Sequence, residues 1–193
     1  MEPSGRPPQP TPEGGPYDVV VSLGTDPRPF PRLVDWIDEY LSAHPGVSCL
    51  LQHGASRPSR LATSVPELSR AELAEHCRRA SAVVVPGEPS AVLGARKLGL
   101  VPLVVPRVAA RGEHEDNHQA VLTDHMVRSG HVQRPRSAAQ LAALLDAALT
   151  VPPTLRTAPR RAHPDASLDE LRREGLFTRV LGRPSRRRDQ PAA

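Results

Sequence analysis

Apolar residues in this chain fall in short unbroken runs, separated by stretches in which they recur every three or four positions. The runs are "YDVVVSLGT" (17–25), "VSCLLQ" (47–52), "AVVV" (82–85) and "VPLVVP" (101–106). Each predicts a strand covered on both sides, because no polar residue alternates within it. "LATSV" (61–65) reads as a further short strand. Between the runs, "FPRLVDWIDEYLSAH" (30–44) sets Leu33, Ile37, Tyr40 and Leu41 at helical spacing, with Trp36 on the same side. "SRAELAEHCRRA" (69–80) opens on Ser69 as N-cap and repeats Leu73 and Cys77 four apart. "SAVLGARKLG" (90–99) predicts a helix stopped by Gly99. Another helix is expected near 117–129. "SAAQLAALLDAALT" (137–150) predicts the last of the series, with Leu141, Leu144, Leu145 and Ala148 inward.

Strand and helix alternate. Uniformly apolar strands in that rhythm predict an α/β fold, a Rossmann-like parallel sheet with helices on both faces. Ligands in such folds bind beyond the carboxyl ends of the strands. Those ends are the loops at Gly24-Thr25, Gln52-His53-Gly54, Pro86-Gly87-Glu88 and Arg107 to His118, which hold nearly all the unusual chemistry of the chain.

The flanks read differently. Residues 1–16 are rich in Pro, Gly and polar residues and predict a disordered leader. The leader has neither the charged nor the apolar region of a signal peptide. Residues 17–150 form the expected domain. A Pro/Arg-rich tail follows (151–193), with one amphipathic helix expected over 167–182 behind a capping box, Ser167 to Glu170.

Composition sharpens this division. Net charge is +4, but residues 1–150 hold 15 basic against 16 acidic residues, net −1, and residues 151–193 hold 10 against 5, net +5. The basic character therefore belongs to the tail. Its "RPSRRRD" (183–189) could touch phosphate or anionic lipid, or be a solvated end. Nothing else points to nucleic acid, since only 3% of residues are aromatic and no recognition module is visible. No apolar run reaches membrane-spanning length. Cys49 and Cys77 lie in apolar patterns and read as reduced core residues of a cytoplasmic protein.

Each loop has an ordinary reading beside a functional one. Gly24 permits a sharp turn, and Thr25 with the free amides before the next helix could hold a phosphate. His53 is equally at home as a surface or hydrogen-bonding residue. The helix opening near Ser90 offers a diphosphate seat, but Glu88 competes for the same donors. "GEHEDNHQ" (112–119) is the densest stretch. Its His114, Glu115 and His118 fit the zincin string, yet Asp116 and Asn117 look like a helix cap. A helix starting at Asn117 would part His114 from His118. No third ligand is evident, so no metal is expected. No second carboxylate across a cleft supports glycosidase chemistry. A solvated acidic turn remains open for this loop, as does a ligand-facing one.

Together, "VSLGTDPRPFPRLVDWID" (21–38), "LLQHGASRP" (50–58), "ARKLGLVPLVVPR" (95–107) and "GEHEDNHQ" resemble the nucleotide-sugar-binding, C-terminal half of GT-B glycosyltransferases of family 28. Its relatives include peptidoglycan, exopolysaccharide and split two-protein transferases. The order matches over about 17–149. The resemblance implies a single GT-B half-domain, a UDP-sugar as donor substrate and no cofactor. It also implies a loop from Arg107 through Glu113, His114, Asp116, Asn117, His118 and Gln119 that faces the donor. Gly24 and Thr25 would lie at the cleft edge, with His53 at the next strand end, and Gly87 and Ser90 at the diphosphate.

The resemblance further implies a separate acceptor-binding half, often membrane-anchored, so that this chain would sit at the inner face of a membrane through its partner. The catalytic base would belong to that partner, and none is assigned here. One departure stands out. Where the family has a His-Gly-Gly-Pro-Gly-Ser/Thr type of turn, this chain has Pro86-Gly87-Glu88-Pro89-Ser90-Ala91. It also has Gly94 where some relatives carry a ribose-binding Glu. The altered turn weakens the expected grip on diphosphate and Gly94 that on the ribose, so donor affinity is expected to fall, and a degenerate, non-catalytic partner subunit is the rival expectation.

Overall fold

A computed structural model describes residues 16–150. The leader up to residue 15, and the tail with its expected helix over 167–182, lie outside the described residues. Five strands form one sheet: β1 (Val19–Ser22), β2 (Cys49–Gln52), β3 (Thr63–Val65), β4 (Ala82–Pro86) and β5 (Leu103–Val105). Their order is β3-β2-β1-β4-β5, and all four pairings are parallel. Five helices connect or cover them: α1 (Pro31–Ala43), α2 (Arg70–Arg79), α3 (Pro89–Lys97), α4 (His118–Arg128) and α5 (Ala138–Thr150).

The two faces of the sheet bury different partners. Val19 and Val21, Cys49 and Leu51, Ala82 and Val84, and Leu103 and Val105 pack with Leu33, Ile37 and Leu41 of α1 and Leu141 and Leu145 of α5. Strand side chains alternate, so Val20, Leu50, Val83, Val85 and Val104 point the other way. These are buried too. The buried residues of α2, α3 and α4, such as Cys77, Val92, Ala95, Leu122 and Met126, lie outside the first cluster and belong to this second face. Burial on both sides is why the strands read as unbroken apolar runs. β3 is polar because it is an edge strand, with only Ser64 buried.

Local chemistry ends the helices where the pattern stops. Ser69 accepts the Glu72 amide while the Glu72 carboxylate takes the Ser69 amide, a complete capping box. α3 closes with paired bonds from Leu100 N to Ala95 O and Gly99 N to Arg96 O, a Schellman end. Leu144, expected inward, is only half-buried at the margin of the core. Cys49 and Cys77 are free and buried, and burial pushes the Cys77 thiol up to about 12. Beyond β5 the sheet gains a sixth position: Val104 donates to Gln133 O at 2.7 Å and Gln133 to Pro102 O at 3.1 Å.

In this strand order successive strands are added to one side of β1 as far as β3 and to the other side from β4, so the winding reverses between β1 and β4. The loops after these two strands flank the crevice where α/β sheets hold their ligands.

Candidate functional site at the carboxyl rim

The four loops beyond the strand ends interlock. Gly24 (φ 78°) and Gly54 (φ 54°) both adopt left-handed backbone that side chains disfavour. They also touch: a Cβ on Gly54 would lie 2.9 Å from the Gly24 carbonyl oxygen. A Cβ on Gly24 would meet the Glu88 carboxylate at 3.2 Å. The loops after β1, β2 and β4 therefore meet at the switch point. Thr25 is exposed beside Gly24. His53 is partly buried, with Nδ1 3.0 Å from the Gly54 carbonyl. Asp26 accepts the Arg28 amide at 2.8 Å, an Asx-turn across Pro27. The Phe30 amide donates to Ser56 Oγ at 2.8 Å, tying the β1 and β2 loops together.

After β4 the chain turns through Gly87 into α3. Gly87 is packed tightly: a Cβ there would sit 2.8 Å from Thr123 Oγ1 and 3.0 Å from the Gln119 carbonyl. Pro89 is the first helical residue and Glu88 the N-cap. The Glu88 side chain bonds no first-turn amide and takes the Ser90 hydroxyl at 2.9 Å instead. The Ser90 and Ala91 amides have no intrahelical carbonyl to meet. The Glu88 carboxylate stands beside this helix end.

The loop between β5 and α4 carries most of the expected site residues, and it divides them. Arg107 is 1% exposed. Its guanidinium donates to Leu23 O at 2.9 Å, Arg28 O at 2.9 Å and Glu113 O at 3.1 Å, and lies 4.7 Å over the Phe30 ring. Burial lowers its pKa, with Asp26, Glu113 and Glu88 acting in the opposite sense. Glu113 is 2% exposed, accepts Arg32 through both oxygens at 2.8 and 2.7 Å, and takes the Val108 amide at 2.9 Å. Gln119 is also buried, its Oε1 receiving the Arg107 amide at 3.1 Å. These three expected donor contacts are turned inward and hold the rim together.

His114, Asp116 and His118 stay at the surface of the same loop. Asp116 Oδ1 accepts the His118 amide at 2.9 Å and also contacts His118 Nδ1. It lies 3.6 Å from His114 Nδ1, and His114 Nε2 lies 3.5 Å from Asp26. The hydrogen bond from the His118 amide, and then the His118 ring, hold the Asp116 carboxyl below its ordinary value. Two expectations change here. α4 begins at His118, so His114 is indeed off the helix, yet the loop curls back and the two rings meet edge-to-face with centroids 4.7 Å apart. Asn117 is the N-cap but does not cap with its side chain. Its Oδ1 accepts the Ala109 amide at 3.1 Å within the 3-10 turn Ala109–Arg111, and Asp116 serves the helix end instead.

Several residues that organise the rim carried no assignment from the sequence. Arg32 fixes Glu113 and also donates to Pro106 O at 2.9 Å. Arg28 bridges to Asp26 and Glu115. Asp-Pro-Arg at 26–28 is a turn signal that could have placed the Asx-turn; nothing local could have paired residue 32 with residue 113. Gln52, at the end of β2, is buried with no partner for Oε1.

No protein-family model matches the sequence, and no curated protein matches it. Solved structures do. The glycosyltransferase of kitacinnamycin is matched with a TM-score of 0.53 at 15% identity, over 94% of this chain and 43% of that one. The calicheamicin glycosyltransferase CalG4 is matched with a TM-score of 0.46 at 16% identity, over 94% of this chain and 48% of that one. The chain spans less than half the length of either of these two transferases. Its five-stranded parallel α/β fold corresponds to roughly half of a GT-B glycosyltransferase.

Proposed function

We propose that this chain is the donor-binding half of a glycosyltransferase that moves a sugar from a UDP-sugar to a lipid-linked or cell-surface polysaccharide. The observation that carries the reading is the convergence of the β1, β2 and β4 loops at the switch point of a GT-B-type half. There Gly24, Gly54 and the start of α3 stand in direct contact. The Ser90 and Ala91 amides would face the diphosphate and stabilise it as it departs. Thr25, His53 and the His114–His118 edge would orient the donor. Arg107, Glu113 and Gln119 would act from behind, by holding the loop in shape. The acceptor half, and with it the general base, lies outside these 193 residues, on a membrane-anchored partner in this reading. Among the described residues no helix is long and apolar enough to cross a membrane, so membrane contact would come through that partner.

The Glu88 carboxylate supports a second reading, a non-catalytic partner subunit. It adds negative charge at the one helix end that would receive diphosphate. Calorimetric titration with UDP, UDP-GlcNAc and UDP-glucose separates the two, with and without a candidate acceptor half. The donor reading expects saturable UDP binding, strengthened roughly fivefold (about 1 kcal/mol) in Glu88→Gly. No binding under any of these conditions sinks it and leaves the partner-subunit reading.

A further inference from the structure

We propose that His114, Asp116 and His118 form a binding site for a single divalent transition-metal ion of the zinc type. The inference stands on this loop alone and does not depend on donor binding.

Each of the three residues offers one ligand atom, and the three atoms lie within 4.8 Å of one another. Zinc bonds to nitrogen and oxygen are about 2.0–2.2 Å, so modest side-chain rotation brings all three onto one ion. The spacing is i, i+2, i+4, but not on a helix face. His118 is the first residue of α4, and the loop before it returns His114 to the same place. The two rings already pack edge-to-face at 4.7 Å. Asp116 stands between them, its Oδ1 fixed by the His118 amide at 2.9 Å.

A second set of contacts orients the first. Asp26 Oδ2 lies 3.5 Å from His114 Nε2, on the side of the ring away from Asp116. With the ring proton on Nε2, beside Asp26, the Nδ1 lone pair faces the Asp116 amide, which donates to it at 3.4 Å, a long, weak bond that an ion at Nδ1 would replace. The Asp26–His114 pair is the carboxylate–histidine arrangement that supports metal ligands. Asp26 is itself held by the Arg28 amide at 2.8 Å and the Arg28 guanidinium at 3.5 Å. The histidine side chains are 16% and 15% exposed and Asp116 is 60% exposed, so an ion can enter from solvent.

Two imidazoles and one carboxylate select zinc, cobalt, nickel or copper over magnesium or calcium. Three protein ligands leave a position for water or for an oxygen of a bound molecule, as in open zinc sites.

The test uses the full-length protein without an affinity tag. Calorimetry with Zn²⁺ should give one ion per chain, undisturbed by a large excess of Mg²⁺. His114→Asn and His118→Asn should each weaken binding at least about tenfold, and Asp26→Asn should do so through His114. His76→Gln, on α2, should leave it unchanged. Co²⁺ loaded in place of zinc should show ligand-field bands without thiolate charge transfer, because Cys49 and Cys77 are buried elsewhere. The proposal is overturned by absence of saturable Zn²⁺ binding to the wild type, or by undiminished binding in both histidine variants. It is equally overturned by a thiolate band in the cobalt spectrum, or by Mg²⁺ competing on equal terms. The wild-type titration and the cobalt spectrum stand even where a variant fails to fold.

Discussion

The loop between β5 and α4 holds two populations of charge that look alike in the sequence and behave differently in the fold. Arg107 and Glu113 are buried, and each is paired through several atoms. Asp116 and Glu115 have side chains that are 60% and 74% exposed. The division occurs where the 3-10 turn Ala109–Arg111 and the left-handed Gly112 (φ 70°) swing the backbone, so that Glu113 points in and the following residues point out. Neighbouring charges in one loop at the strand ends therefore divide between the interior and the surface. At the inner position a carboxylate is a strut whose loss leaves the Arg32 charge without its counter-ion and the Val108 amide without its acceptor. At the outer position it is free to meet solvent, an ion or a substrate.

The largest expected effect tests the inner half. Removing one member of a buried ion pair costs about 3–5 kcal/mol, because the surviving charge keeps its desolvation cost without compensation. Glu113→Ala should therefore lower stability by about that amount, read from the urea midpoint. A loss below about 1 kcal/mol would mean that Arg32 and Glu113 behave as a surface pair, and the contrast between the two halves of the loop would collapse.

A smaller effect is expected where the inner half meets the β4 turn. Gly87 lies against Gln119 and Thr123 of α4 with no room for a methyl group. Gly87→Ala should cost about 1–3 kcal/mol by overpacking. If the Pro86-Gly87-Glu88 turn is instead free to move, the same substitution should leave the melting temperature unchanged. That outcome would detach the β4 turn from the strut beside it.

The legible parts of this protein are those whose physics is local. Val19 to Val21 and Val83 to Val85 are apolar throughout because helices cover both of their faces, and that leaves a visible run. Ser69 with Glu72, and Gly99 after α3, are terminators that work within one helical turn. The convergence of loops at the strand ends followed from the fold class, through a general property of parallel sheets. The illegible parts are contacts across long separations. Arg32 and Glu113 are 81 residues apart, and Arg107 reaches a carbonyl 84 residues away. Charged residues are mostly exposed, so a sequence reading turns them outward. The sixth sheet position at Gln133 was hidden for a related reason. It rests on backbone hydrogen bonds, with Val132 as the single buried apolar residue beside it. His114 and His118 were set apart by assuming that only a shared helix face could join them, whereas a loop curling into a helix start does it equally well.

The smallest expected effect is the sharpest test of the outer half. Asp116 is exposed, and its partners are an amide at a helix start and two imidazoles that also reach water. Exposed pairs contribute little, and asparagine keeps an oxygen that can accept the His118 amide at the helix start. Asp116→Asn should therefore leave the urea midpoint nearly where it was while lowering zinc affinity, since the amide is a far poorer ligand than the carboxylate. Glu113→Ala should do the reverse in its primary effect, unfolding the loop and losing the ion only as a consequence. A stability loss above about 2 kcal/mol in Asp116→Asn would make Asp116 a second strut. Its closeness to two histidines would then reflect the folding of the loop, with no ion required to explain it.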